Sequence, residues 1–123
     1  MIIEDYVSFR TSKLLKEKGF NEPCLMCYTS DKKLGNYGHY NSYKNSEVFS
    51  LTAPTIQMTM KWLREVHNIS VEPFVDFGGG DEHWWTADVA YIKKDGLIDE
   101  LCGYNSYEEA CEAGIKYCLE NLI

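Results

Sequence analysis

Acidic and imidazole side chains follow a glycine run near residue 80, and they form the first group in this sequence that could do chemistry. Asp81, Glu82 and His83 are consecutive, and carboxylates with an imidazole can hold a divalent metal ion. The spacing has neither the D-x-D-x-D-G pattern nor the distal glutamate of an EF-hand loop. A solvated hairpin loop accounts for the same residues. We therefore predict no metal and no cofactor, and keep this loop as the alternative metal candidate.

Five cysteines occur, and Cys24 and Cys27 have the C-x-x-C spacing of zinc and redox sites. Residues 24–29 have the composition of a strand, and alternate side chains of a strand point to opposite faces, which would separate the two thiols. No glycine provides the turn of a zinc knuckle, and no second C-x-x-C or H-x-x-x-H follows. We interpret both as structural thiols. Cys111 and Cys118 are seven residues apart on a predicted helix, too far for a disulfide, and are interpreted as small buried apolar side chains.

Other catalytic patterns are missing from the sequence. The glycine run at 78–80 lacks the Lys-Ser/Thr of a phosphate-binding loop, and the acidic residues after it would repel a phosphate. The three histidines are far apart, and no serine or cysteine lies in a recognisable nucleophile motif. The sequence therefore favours a protein that is not an enzyme.

Aromatic residues are unusually frequent, at 14% with nine tyrosines and three tryptophans. Trp84 and Trp85 are adjacent on a predicted strand, so they must point to opposite faces of its sheet. If helices cover one face only, one tryptophan lies in the core and the other is free for contact. We predict a binding patch for a partner that consists of Trp84, Trp85, Tyr40 and Tyr43. The competing interpretation is that the tyrosines pack a long loop and both tryptophans are half-buried.

Three helices are predicted, at 8–18, from Pro54 to residue 68, and after residue 106. The residues that begin and end them have the expected types: Ser8 and Ser106 as N-caps, Pro54 in a first turn, and Gly19 and Asn68 as left-handed stops. Glu109 completes a capping box with Ser106. At 100° per residue, one buried arc of the second helix contains Ile56, Thr59, Met60, Leu63 and Val66.

Strands are predicted at 24–29, 69–77, 84–91 and 97–102, and residues 34–50 are expected to form an irregular strand and a loop. Pro73 cannot donate to a ladder, so its strand should lie at an edge. The predicted fold is α+β, with three helices packed on a mostly antiparallel sheet of about four to five strands. The C-terminal part has α-β-β-β-α order.

The length of 123 residues fits one domain, 1–123. The net charge of −7 repels polyanions, so a nucleic-acid partner is not expected. Double-stranded-RNA-binding domains share the α-β-β-β-α order, but they place lysines where this chain has Glu108, Glu109 and Glu112. No targeting signal and no apolar run of about 20 residues is visible, so we expect a cytoplasmic protein that does not bind a membrane.

Several segments carry a resemblance that covers nearly the whole chain. They include the blocks LLKEKGF-EPC, PT…KWLRE and YEEA, at residues 6–9, 13–24, 53–55, 61–68 and 107–110. The chain resembles a family of short proteins carried by prophages and mobile elements of gut bacteria. That family has no assigned activity, so the resemblance implies a genomic setting and no catalytic residues.

The sequence therefore predicts a small phage-related protein that binds a host or phage protein without catalysing a reaction. Two alternatives stay open. The first is a metal-dependent enzyme or metal-binding protein that uses Asp81, Glu82 and His83. The second is an acidic mimic of nucleic acid that occupies a host DNA-binding protein, which would require carboxylates clustered on one face. The sequence leaves the oligomeric state open.

Overall fold

The computed structural model describes residues 1–36, 43–46, 51–94 and 96–123. It contains two compact units, Met1–Thr55 and Ile56–Ile123, and each has its own elements. The expectation of one domain stays a prediction. Most of the loop expected within 34–50, Tyr40 of the predicted patch, and Asp95 of the last hairpin turn lie outside the described residues.

The first unit begins with helix α1, Phe9–Glu17, whose two ends were predicted from the sequence. The Ser8 hydroxyl accepts a hydrogen bond from the backbone N–H of Thr11, as an N-cap does. After the helix, Gly19 has φ +89°, and the N–H of Phe20 donates to the carbonyl of Leu15 at 2.9 Å. This geometry is a Schellman motif, in which glycine reverses the chain and Phe20 is buried against the unit.

Three two-residue strands complete the first unit: β1 (Cys27–Tyr28), β2 (Leu34–Gly35) and β3 (Leu51–Thr52). They form an antiparallel sheet in the order β2-β1-β3. The predicted strand at 24–29 is wrong in its first half, because the chain bends at Leu25 and Cys24 forms a separate bridge with Tyr43. Strands of two residues leave no alternating pattern in a sequence, so β2 and β3 could not be predicted as separate strands.

Asn45 holds the described part of the following loop to this unit. Its side-chain amide donates to the carbonyl of Phe20 at 2.8 Å, and its side-chain oxygen accepts from the N–H of Thr52 at 3.0 Å. Asn45 is buried, so these two hydrogen bonds satisfy backbone groups that water does not reach.

The second unit begins with helix α2, Ile56–His67, which starts two residues after Pro54 rather than at it. The helix ends at Asn68 with φ +55°, the predicted left-handed stop. Ile56, Met60 and Leu63 are buried as predicted, but Val66 in the last turn is 54% exposed, so the buried arc ends before it. No helix among the described residues is long and apolar enough to cross a membrane.

The C-terminal helix α3, Tyr107–Asn121, is capped as the sequence predicted. The Ser106 hydroxyl accepts from the N–H of Glu109 at 3.1 Å, which is the first half of the predicted capping box. The carboxylate of Glu109 accepts at 3.0 Å from the N–H of Asn105, one residue before the N-cap, and not from that of Ser106 as the box requires. Its buried side is formed by small and apolar residues: Ala110, Cys111, Gly114, Ile115, Cys118 and Leu119.

Between α2 and α3 the chain forms the predicted meander of β4 (Ile69–Phe77), β5 (His83–Tyr91) and β6 (Leu97–Tyr104). These strands pair in the order β4-β5-β6, so Pro73 lies on an edge strand as expected. The fold is α+β and the C-terminal part has α-β-β-β-α order. The six strands of the described residues form two three-stranded sheets, where the sequence predicted one sheet of four to five strands.

Candidate binding surface

The two faces of the β4-β5-β6 sheet differ in what covers them. On one face α3 crosses all three strands, and Gly114 lets its backbone approach Val71 and Ala87 closely. Trp85 lies on this face and makes an edge-to-face contact with Tyr107, with ring centroids 5.7 Å apart. Because α2 contacts α3 and β4, both helices of the unit belong to this side.

The opposite face carries a different set of side chains, which the strand register brings together. Directly paired residues of antiparallel strands share a face. The pairs on this side are Glu72 with Asp88, Phe74 with Thr86, and Asp76 with Trp84, and Asp88 also pairs with Glu100 of β6. We name this surface the acidic face; it comprises Glu72, Phe74, Asp76, Trp84, Thr86, Asp88 and Glu100.

Three carboxylates of the acidic face are cross-strand neighbours. Glu72, Asp88 and Glu100 occupy one row across β4, β5 and β6, and adjacent strands are about 4.8 Å apart. Like charges directly opposite one another destabilise a sheet. Partial desolvation, the negative charge of Asp88, a hydrogen bond between the Glu100 and Asp88 side chains, and the negative charge of Asp76 accordingly raise the pKa of Glu100.

No cationic side chain of these strands neutralises the negative charge of the row. The sequences of β4, β5 and β6 contain neither lysine nor arginine. The available donors are hydroxyls: Ser70 donates to Glu72, and Thr86 donates to Asp76 at 3.5 Å. One carboxylate oxygen of Asp88, Oδ1, is buried and has no hydrogen-bond partner. Glu72 and Glu100 are exposed, so the two ends of the row can be reached from solvent, whereas Asp88 between them is half-buried.

The residues of the predicted aromatic patch lie in different parts of the structure. Trp84 lies on the acidic face and Trp85 on the face that α3 covers, as the pleat requires. Both are half-buried, which is the burial that the competing interpretation expected. Tyr43 belongs to the first unit, where its backbone exchanges two hydrogen bonds with that of Cys24. Tyr40 lies outside the described residues, so membership of the patch stays a prediction.

The loop that was the alternative metal candidate is exposed. Asp81, Glu82 and His83 all face solvent, and His83 Nδ1 lies 3.3 Å from the backbone oxygen of Asp81. The N–H of Gly78 donates to the carbonyl of Glu82 at 3.0 Å, which closes the turn. In the part of the chain that the structure describes, no group of three or more His, Cys, Asp or Glu side chains is arranged to hold a metal ion.

All five cysteines are free thiols, and only Cys102 is exposed. Cys24 and Cys27 are both buried, and the bend at Leu25 interrupts the strand on which the predicted separation of the two thiols was based. Burial raises the pKa of Cys24 to about 11 and that of Cys118 to about 12. Since the thiolate is the reactive form, these are inert thiols at neutral pH.

A shallow groove of about 260 Å³ lies between β6 and α3, with Leu101, Tyr104 and Ala113 on its apolar part and Lys116 and Glu120 among its polar residues. Burial and the charge of the neighbouring Asp99 raise the pKa of Tyr117 in its wall. The groove holds no constellation of acid, base and nucleophile.

The carboxylate row was not predicted from the sequence, although part of its signal is present there. Glu72 and Asp76 alternate with apolar residues on β4, and Asp88 does so on β5, so a hairpin closed by residues 78–82 would pair Glu72 with Asp88. Comparisons of the chain with protein-family models, with curated proteins and with solved structures find no match.

Proposed function

We propose that this chain is a non-enzymatic protein-binding module of phage or mobile-element origin, which acts in the cytoplasm on a host or phage protein. The observation that carries the proposal is the acidic face, where Trp84 and four carboxylates share the sheet surface opposite the one that α3 packs on. The origin rests on the family resemblance of the sequence, and the compartment on the five free thiols, which are typical of a reducing environment.

Folding alone gives no reason for this arrangement. A sheet face that only contacted water would gain stability from mixed charges, whereas Glu72, Asp88 and Glu100 repel one another. Residues that lower the stability of a fold are common where they serve contact with another molecule. Trp84 adds a large, half-buried aromatic surface of the kind that is enriched at protein interfaces.

Capture of partners by a Trp84 variant tests the proposal. Immobilised wild-type protein and W84A are incubated with lysate of the host bacterium, and bound proteins are quantified by mass spectrometry. F77A is the matched control, since Phe77 is an exposed aromatic residue at the end of β4 and lies outside the acidic face. We expect a protein that wild type and F77A retain and that W84A loses at least tenfold. Retention that is independent of Trp84 would refute this use of the acidic face.

The acidic nucleic-acid mimic is the second candidate, and the carboxylate row favours it. Such a mimic needs its carboxylates clustered on one surface, and three carboxylates are cross-strand neighbours on the acidic face. A competition experiment with duplex DNA distinguishes a mimic from other binding modules. The partner of a mimic is a DNA-binding protein, so duplex DNA should displace that partner from this chain. If excess DNA leaves the captured complex intact, the mimic interpretation is wrong.

A further inference from the structure

We infer that the partner docks on the acidic face with a lysine- and arginine-rich protein surface, whose cations lie against the row of Glu72, Asp88 and Glu100. This inference rests on the proposed function, because it names the chemistry of the partner at that same face. The occupant it commits to is a basic segment of a protein, selected by charge complementarity.

The charge of the acidic face is of one sign only. Its four carboxylates come from all three strands, and those strands contain no lysine or arginine. The hydroxyls of Ser70 and Thr86 each reach one carboxylate, and Asp88 Oδ1 is left without a partner. A cation placed over the row would interact with two neighbouring carboxylates at once and relieve their repulsion.

Arginine suits the remaining geometry of this face. Asp76 and Trp84 are directly paired across β4 and β5, which places a carboxylate beside an indole ring. A guanidinium can stack on an aromatic face while its N–H groups donate to a carboxylate, because it is planar and carries its donors in a rigid fork. The pair therefore offers a second position for an arginine, next to the row.

The same features disfavour other classes of occupant. Nucleic acids and anionic lipid surfaces carry charge of the same sign as the face and would be repelled. A neutral partner would desolvate the carboxylates without supplying charges to pair with them, which costs free energy. A protein surface with clustered cations has neither disadvantage.

Neutralising the row gives the direct test. The variant E72Q/D88N/E100Q removes three charges from the face, and E17Q/E22Q/E65Q removes three from exposed positions outside the sheet. Both variants have the same net charge, so any difference between them reports location. The probe is a fluorescein-labelled ten-residue peptide of alternating arginine and serine, followed by fluorescence anisotropy at 50 and 200 mM NaCl, with an alternating glutamate–serine peptide as negative control.

We expect the wild-type protein to bind the arginine peptide and not the glutamate peptide. Each exposed ion pair contributes about two- to fivefold to affinity, so the row variant should bind about ten- to a hundredfold more weakly. The control variant should lose no more than about twofold, and the dependence on salt should become shallower in the row variant alone. No binding by the wild type, or equal losses in both variants, would overturn the inference.

The captured partner separates failure of this inference from failure of the proposed function. If capture depends on Trp84 but survives in E72Q/D88N/E100Q, the acidic face binds a protein and its partner is not basic. If capture does not depend on Trp84, the acidic face is not the binding surface, and the proposed function fails at the observation that carries it. Circular dichroism spectra and thermal melts of each variant show whether it is folded, and E100Q alone provides a milder variant of the row.

Discussion

Gly114 provides the sharpest test of how α3 packs on its sheet. A methyl group at this position would lie 2.5 Å from Val71 Cγ1 and 3.5 Å from the Cβ of Ala87. Carbon atoms in contact are normally about 3.5–4.0 Å apart, so the first distance is an overlap of at least 1 Å. Val71 is only 3% exposed and its β-branched side chain has few rotamers, so it cannot turn away freely. We therefore expect G114A to force α3 away from β4.

Two effects of opposite sign decide the magnitude. Replacing glycine by alanine inside a helix gains about 1 kcal/mol of helix propensity. Overpacking a buried site costs about 1–3 kcal/mol, and the overlap at Gly114 places this change toward the upper end. The expected net result is a loss of about 1–2 kcal/mol in the free energy of unfolding. For a chain of this size that corresponds to a fall in Tm of roughly 3–8 °C.

Urea denaturation followed by circular dichroism measures the change, and V71A/G114A provides the internal control. V71A alone should destabilise the protein by about 2 kcal/mol, since it removes two buried methyl groups. In the double variant the new methyl group occupies part of the vacated space. The double variant should therefore lose at least 1 kcal/mol less than the sum of the single losses. If G114A instead stabilises the protein by about 1 kcal/mol, the close packing of α3 on β4 is wrong.

Three further predictions follow from single groups. N45A should lower the free energy of unfolding by about 2–3 kcal/mol, because it orphans two buried backbone groups; a loss below 0.5 kcal/mol in urea titrations would contradict this. Desolvation and the charges of Asp88 and Asp76 raise the pKa of Glu100, so the folded protein binds that proton more tightly than the unfolded chain and ionisation costs stability. E100Q should therefore raise the Tm at pH 7, with the increment disappearing as the pH falls below the unfolded glutamate pKa of about 4.3; an increment independent of pH would argue against repulsion in the row. Ellman's reagent at pH 7.5 should label Cys102 alone in the native protein and five thiols after denaturation, and rapid native labelling of a second thiol would show that burial does not protect the others.

The interactions that were predictable are those between residues close in the chain. Ser8 caps the start of α1 and Gly19 follows its end, Ser106 and Glu109 cap the start of α3, and Asn68 ends α2. Each of these roles depends on a backbone conformation or a hydrogen bond within a few residues. The alternation along β4 and β5 likewise placed Trp84 and Trp85 on opposite faces. A two-residue strand such as β2 has no period to detect, and neither the bend at Leu25 nor the mutual burial of Cys24 and Cys27 follows from spacing.

The helix caps, the long strands and the two faces of those strands follow from the sequence alone, since local sterics and the period of two act within a single element. The row of Glu72, Asp88 and Glu100 depends instead on how the three strands pair. Glu72 pairs with Asp88 through the length of a hairpin loop, but Asp88 meets Glu100 only because the β5–β6 register shifts by one residue between Val89 and Ala90. A further shift of one residue at that point would turn the carboxylate of Glu100 to the face covered by α3, and the row would not exist.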